Sequence, residues 1–132
     1  MEPAPPPFKP VPHPSLDGQY LVLEFVTPEE EAALVALCDN PVAKPPWAGG
    51  RAGTYDNATA QRTGSKRWGV LPDYHRRGVA TAQHPLPPLL ASLAERMRTR
   101  IPLLRDFRPN EANAIDYRRS WGSWLRPHAD DR

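Results

Sequence analysis

The chain has 132 residues, with 17 basic against 15 acidic side chains and a formal charge of +2 when histidine is neutral; that length suits one domain of about 100–150 residues. The single cysteine, Cys38, excludes an internal disulfide framework and a cysteine-rich zinc module. The apolar run Leu34–Cys38 falls far short of the ~20 residues of a membrane span, and Met-Glu followed by prolines is not a secretory signal, so an intracellular protein, cytoplasmic or nuclear, with no membrane partner is expected.

Seven of the 18 prolines lie between Pro3 and Pro14. Proline lacks the amide proton that helices and sheets need and favours solvated polyproline II. Residues 1–16 are therefore expected to form a disordered leader, with one domain over 17–132. Gln19–Val26 is rich in β-branched and aromatic residues and predicts a strand. Thr27-Pro28-Glu29-Glu30 then places a capping hydroxyl, a first-turn proline and a capping-box carboxylate in helical order. The spacing predicts a helix to about Asp39 that buries Ala33, Leu34 and Leu37, ended by Asn40-Pro41.

Residues 41–65 show little periodicity and are expected to be mostly loop. An extended piece is predicted over Arg62–Leu71, around Trp68 and Val70. Leu86, Leu89, Leu90, Leu93 and Met97 recur at helical spacing and predict a helix from Pro87 or Pro88 to about Arg100. Asn113–Tyr117 predicts a strand with Asn113, Ile115 and Tyr117 on one face.

Charge is unevenly placed. Residues 1–40 carry one lysine against seven acids, whereas residues 51–77 carry six basic groups against two acids. Tyr55, Trp68 and Tyr74 interleave with that basic stretch. Cations neutralise phosphates and aromatic faces stack on bases, so the segment has the chemistry of a single-strand binding surface. An ordinary basic face with its aromatic side chains in the core fits the same pattern.

Chemistry concentrates in Pro127-His128-Ala129-Asp130-Asp131. An imidazole and a carboxylate two residues apart on an extended segment point to one side. Together they can hold one face of a ferrous ion in a two-histidine, one-carboxylate site. The pair alone also fits an exposed histidine near a chain end.

Phe107-Arg108-Pro109-Asn110-Glu111, Ile115-Asp116-Tyr117, Gly122-Ser123 and Pro127-His128-Ala129-Asp130-Asp131, in that order, resemble the AlkB-like Fe(II)/2-oxoglutarate-dependent dioxygenases. Within that family they are similar to the group of the fourth animal AlkB homologue. The resemblance extends loosely upstream through Thr63–Arg67, Pro72–Arg77 and Leu86–Leu90. It implies an α+β fold, with N-terminal helices beside the first strands of an incomplete double-stranded β-helix, or jelly roll. It also implies Fe(II) and 2-oxoglutarate as cofactors, with His128 and Asp130 as iron ligands and Tyr117 reaching the 2-oxoglutarate carboxylate. Asp131 would stand beside the metal pair, orienting His128 or facing substrate, and Asp116 would flank Tyr117. Arg67, Trp68 and Tyr74 would fall in the substrate-facing cover.

The activity implied is oxidative demethylation of N-methyl groups on nucleic acid or on protein lysine, the methyl leaving as formaldehyde. The family pattern continues past its His-x-Asp pair to a distal histidine and an arginine. His13, His75 and His84 do not stand in that place, so the chain is expected to be the N-terminal part of such a domain, inactive by itself. The alternative is a non-catalytic fragment that binds nucleic acid or protein through residues 51–77.

Overall fold

The computed structural model describes residues 1, 3–52, 62–73, 76–81 and 83–117. They form a mixed α and β arrangement of two helices and two small antiparallel sheets. In chain order the elements are β1 (Val11–Pro12), β2 (Tyr20–Leu21), α1 (Pro28–Asp39), β3 (Ala48–Ala52), β4 (Arg62–Asp73), β5 (Gly78–Thr81), α2 (Pro88–Arg100) and β6 (Glu111–Asp116). A 3-10 turn at Pro102–Leu104 follows α2.

α1 begins as the sequence requires. The Glu30 amide donates to Thr27 Oγ1 at 3.1 Å, and the Thr27 amide donates to Glu30 Oε2 at 2.9 Å, closing a capping box over two amides that would otherwise lack partners. The helix ends where the Asn40 amide donates to the Ala36 carbonyl. Its apolar stripe behaves differently from expectation. Ala33 is exposed, Leu34 and Leu37 are only half-buried, and no residue of the helix is buried.

α1 is held instead by its first turn. Arg96 on α2 donates from Nη1 to Glu30 Oε2 at 2.7 Å and to the Phe25 carbonyl at 2.8 Å, and from Nη2 to Glu30 Oε1. The same guanidinium lies 5.7 Å from the centroid of the Phe25 ring. One planar cation thus ties the entry of α1 to the middle of α2 in the forked geometry that suits arginine and carboxylate.

The predicted strand over Gln19–Val26 shrinks to Tyr20–Leu21, paired with Pro12 and Val11. Glu24 takes a left-handed φ of 53° in the turn that follows, and this turn redirects the chain so that Phe25 meets Phe8 and Arg96. Phe8 stands 5.6 Å from Phe25, ring to ring. Its amide donates to the Arg100 carbonyl at 2.8 Å, filling an acceptor left open at the end of α2. The proline-rich N-terminus therefore makes specific contacts with α2.

The second departure lies in 41–65, expected as loop, where β3 pairs with the start of β4 through Ala48↔Ser65 and Gly49↔Gly64. β6 pairs with β4 from Gly64↔Asp116 to Gly69↔Glu111. Because Gly64 and Ser65 pair with both neighbours, β3 and β6 occupy opposite edges of β4. β5 takes the last part of β4, from Val70↔Thr81 to Asp73↔Gly78.

Residues that face each other across β4 and β6 share a side of the sheet. One side carries Lys66 and Trp68 with Ala114 and Ala112; the other carries Ser65 and Arg67 with Ile115 and Asn113. The first side is the inner one, because Trp68 is 2% and Lys66 3% exposed. Leu93 and Ile101, at the middle and end of α2, are the other buried apolar residues among those described. Asn113 is exposed and Ile115 half-buried, so the face on which the sequence grouped Asn113, Ile115 and Tyr117 is the outer one.

Gly69 is the pivot of β4, with φ at 84°. A Cβ there would lie 2.1 Å from the Asn110 carbonyl oxygen. Its own amide donates to the His84 carbonyl at 2.8 Å, while the next amide, of Val70, donates to Asn110 at 3.0 Å.

Two outcomes follow. Gly69→Ala combines a left-handed φ with a backbone collision and is expected to lower unfolding free energy by about 2–4 kcal/mol in urea titrations. The Arg96 guanidinium and the Thr27 amide hold the Glu30 carboxyl down at about 2, from an ordinary 4.5. A depressed carboxyl stabilises the fold above its unfolded pKa and loses that contribution as pH falls through the folded one. Acid unfolding followed by circular dichroism should therefore show a loss of stability between about pH 4.5 and 2, and Glu30→Gln should flatten that dependence.

Candidate functional site

A cleft of about 410 Å³ opens beside β4, lined by Pro45, Pro46, Ala48, Ser65, Arg67, Leu71 and His84 among others. Its origin is topological. Gly69 pairs with Glu111 on the β6 edge while its amide reaches the His84 carbonyl, so the chain leaving β5 runs along the edge that β3 uses. β3 ends its pairing at Ser65 and β5 begins its own at Val70. The space between them is bounded by Pro45 and Pro46 on the approach to β3 and by Gln83 and His84 beyond β5. Its walls are largely apolar, with polar groups from Ser65, Arg67, Gln83 and His84.

The residues singled out by sequence fall into three groups. His128, Asp130, Asp131 and Tyr74 lie outside the described residues. Arg67 is half-buried on the outer face of β4 and lines the cleft. Tyr117, one position past β6, is 42% exposed, and strand alternation puts it on the same outer face. It lies four positions along from Asn113, which faces Arg67, so Tyr117 and Arg67 stand about 13 Å apart along the sheet.

Trp68, expected in the substrate-facing cover, stands in the core instead. Its indole Nε1 donates to the Lys44 carbonyl at 3.3 Å, which satisfies the polar edge of a ring that is otherwise buried. Lys66, counted with the basic stretch, is also turned inward. Its ammonium donates to the Leu37 carbonyl at 3.4 Å and lies 5.0 Å from the centroid of the Trp47 ring. Leu37 belongs to the last turn of α1, whose open carbonyls attract a cation. Trp47 is fixed in turn, its Nε1 donating to Asp39 Oδ1 at 3.2 Å.

Two of the groups that gave residues 51–77 their nucleic-acid-binding character therefore hold the fold together. Burial also pushes the Cys38 thiol up, against the pull of Lys66 and with Asp39 and Asp116 adding to the rise. The cleft itself was not expected from the sequence. Its signal, two prolines before one strand and His84-Pro85 after another, has meaning only once β3 and β5 share an edge.

Among the described residues, no three His, Cys, Asp or Glu side chains converge as a metal site. No described helix is long and apolar enough to cross a membrane.

The chain is similar to Alpha-ketoglutarate-dependent dioxygenase alkB homolog 4 of Mus musculus. The two are 32% identical over 117 residues, which make up 86% of this chain and 34% of that protein. This chain thus spans about a third of the length of that curated relative. No protein-family model matches the chain, and no solved structure matches it.

Core and cleft positions should separate by substitution. Trp68→Ala removes a buried indole and is expected to cost about 3–5 kcal/mol of stability. His84→Ala, at the rim of the cleft, should change it by about 0.5 kcal/mol or less. Urea unfolding of both variants checks this, and equal losses would contradict the division.

Proposed function

We propose that this chain contributes to an Fe(II)- and 2-oxoglutarate-dependent oxidative demethylase of the AlkB-like kind, with β3–β6 belonging to the opening part of a jelly roll. The observation that carries the reading is the 32% identity over 117 residues to an alpha-ketoglutarate-dependent dioxygenase. Tyr117 adds chemical support, being an exposed phenol at the end of β6 on the face that also bears Arg67. A phenolic hydroxyl donates well to a carboxylate, the role this residue would take toward 2-oxoglutarate.

The iron ligands would be His128 and Asp130. Both lie outside the described residues. Bound together, Fe(II) and 2-oxoglutarate would allow dioxygen to oxidise an N-methyl carbon, the keto acid being decarboxylated to supply the other two electrons. The part of the described chain is to orient the keto acid at Tyr117 and to offer cationic Arg67 on the same sheet face. The substrate would be an N-methylated nucleobase or an N-methylated lysine side chain, and a base would have to leave its stack to be reached.

Anaerobic titration of the chain with Fe(II) and 2-oxoglutarate, followed by visible absorption, tests the proposal. A metal-to-ligand charge-transfer band is expected in a longer protein that also carries the distal histidine and the arginine of the family pattern, but not in this chain alone, and is lost there in His128→Ala. Tyr117→Phe removes one hydrogen bond to a charged group, worth about 1.5–3 kcal/mol, and should weaken 2-oxoglutarate binding by about 10- to 150-fold. No band in that longer protein, or a band that its His128→Ala variant keeps, would overturn the assignment. Formaldehyde release from a methylated oligonucleotide against a methyl-lysine peptide distinguishes the two substrates.

A further inference from the structure

From the docking of the N-terminal prolines we infer that residues 3–9 present a ready-made polyproline II ligand to a partner domain whose groove is lined by aromatic rings and flanked by acidic groups. Prolines hold φ near −65°, and the polyproline II helix they favour repeats every three residues. Pro3, Pro6 and Lys9 then share one face, whereas Pro5 and Phe8 share another. The fold engages the second face at Phe8, while Pro5 stays exposed. Phe8 is half-buried, 5.6 Å from the Phe25 ring and 3.9 Å from the Arg100 guanidinium carbon, and its amide donates to the Arg100 carbonyl at 2.8 Å.

Arg100 also donates from Nε to the Pro6 carbonyl at 3.0 Å. That bond fixes the segment through its main chain. Pro3, Pro6 and Lys9 remain exposed. The face left outward thus carries two prolines three residues apart and a cation three residues further on. Domains that read such segments seat successive proline rings between aromatic side chains and gain orientation from a charged neighbour. A polyproline segment loses little conformational freedom on binding, and anchorage at Phe8 removes part of what is left, which favours affinity. The role is separate from the dioxygenase reading and involves none of its residues.

The test is calorimetric titration of the full chain with isolated polyproline-reading domains of the SH3, WW and EVH1 classes. At least one is expected to bind with micromolar affinity. Changing Pro3 and Pro6 together to alanine should weaken that binding by about tenfold or more, with the thermal midpoint unchanged. Lys9→Glu should weaken it several-fold, and so should Phe8→Ala, which frees the anchor.

The inference is overturned if none of these domains binds below millimolar concentration. It is also overturned if the alanine pair at Pro3 and Pro6 binds like the unaltered chain. Tighter binding by Phe8→Ala would equally count against it, because the docked segment would then be a masked ligand rather than a presented one.

Discussion

Twelve residues of β4 answer the hydrogen-bonding demands of three other strands, and one backbone angle makes this possible. At Gly69 the strand takes a φ of 84°, so that its amide and the next serve different neighbours, His84 and Asn110. A side chain at this position would collide with the Asn110 carbonyl. With the pivot in place, β6 keeps one edge of β4 while β3 and β5 divide the other. The cleft that carries Arg67 and His84 is the interval between them.

α1 attaches largely through polar groups. α1 buries none of its residues, yet both its ends are secured. Arg96 grips Glu30 and the Phe25 carbonyl at the start, and Lys66 meets the Leu37 carbonyl near the finish. A thin apolar core makes such contacts matter more. A buried ammonium is costly unless it is paired or hydrogen-bonded, and the carbonyl of Leu37 with the face of Trp47 supplies that compensation.

Local signals were legible. Thr27-Pro28-Glu29-Glu30 announced the start of α1 and its capping box, the leucine spacing announced α2, and Trp68 with Val70 marked an extended segment. Long-range demands were not legible. Gln19–Val26 has strand composition, but Phe25 is needed against Phe8 and Arg96, so the chain turns at Glu24. Ala48–Ala52 has poor strand composition and becomes β3 because β4 offers an open edge. Lys66 and Trp68 read as parts of a basic, aromatic surface, and alternation along β4 sent both inward. For the site, the alternation that turned Trp68 inward turned Arg67 outward, and Tyr117 follows β6 as an exposed ring. The cleft required knowing which strands share an edge.

One consequence follows from the way α1 is fastened. An element secured at its termini by an ion pair and a capped carbonyl, with no side chain sunk in the core, can open before the β4–β6 ladder does, Lys66 then exchanging the Leu37 carbonyl for water. Its amides should then exchange with solvent deuterium through a local opening of lower free energy than global unfolding, in a manner sensitive to ionic strength. The chain would behave as two cooperative units of unequal strength, the sheet outlasting the helix that leans on it.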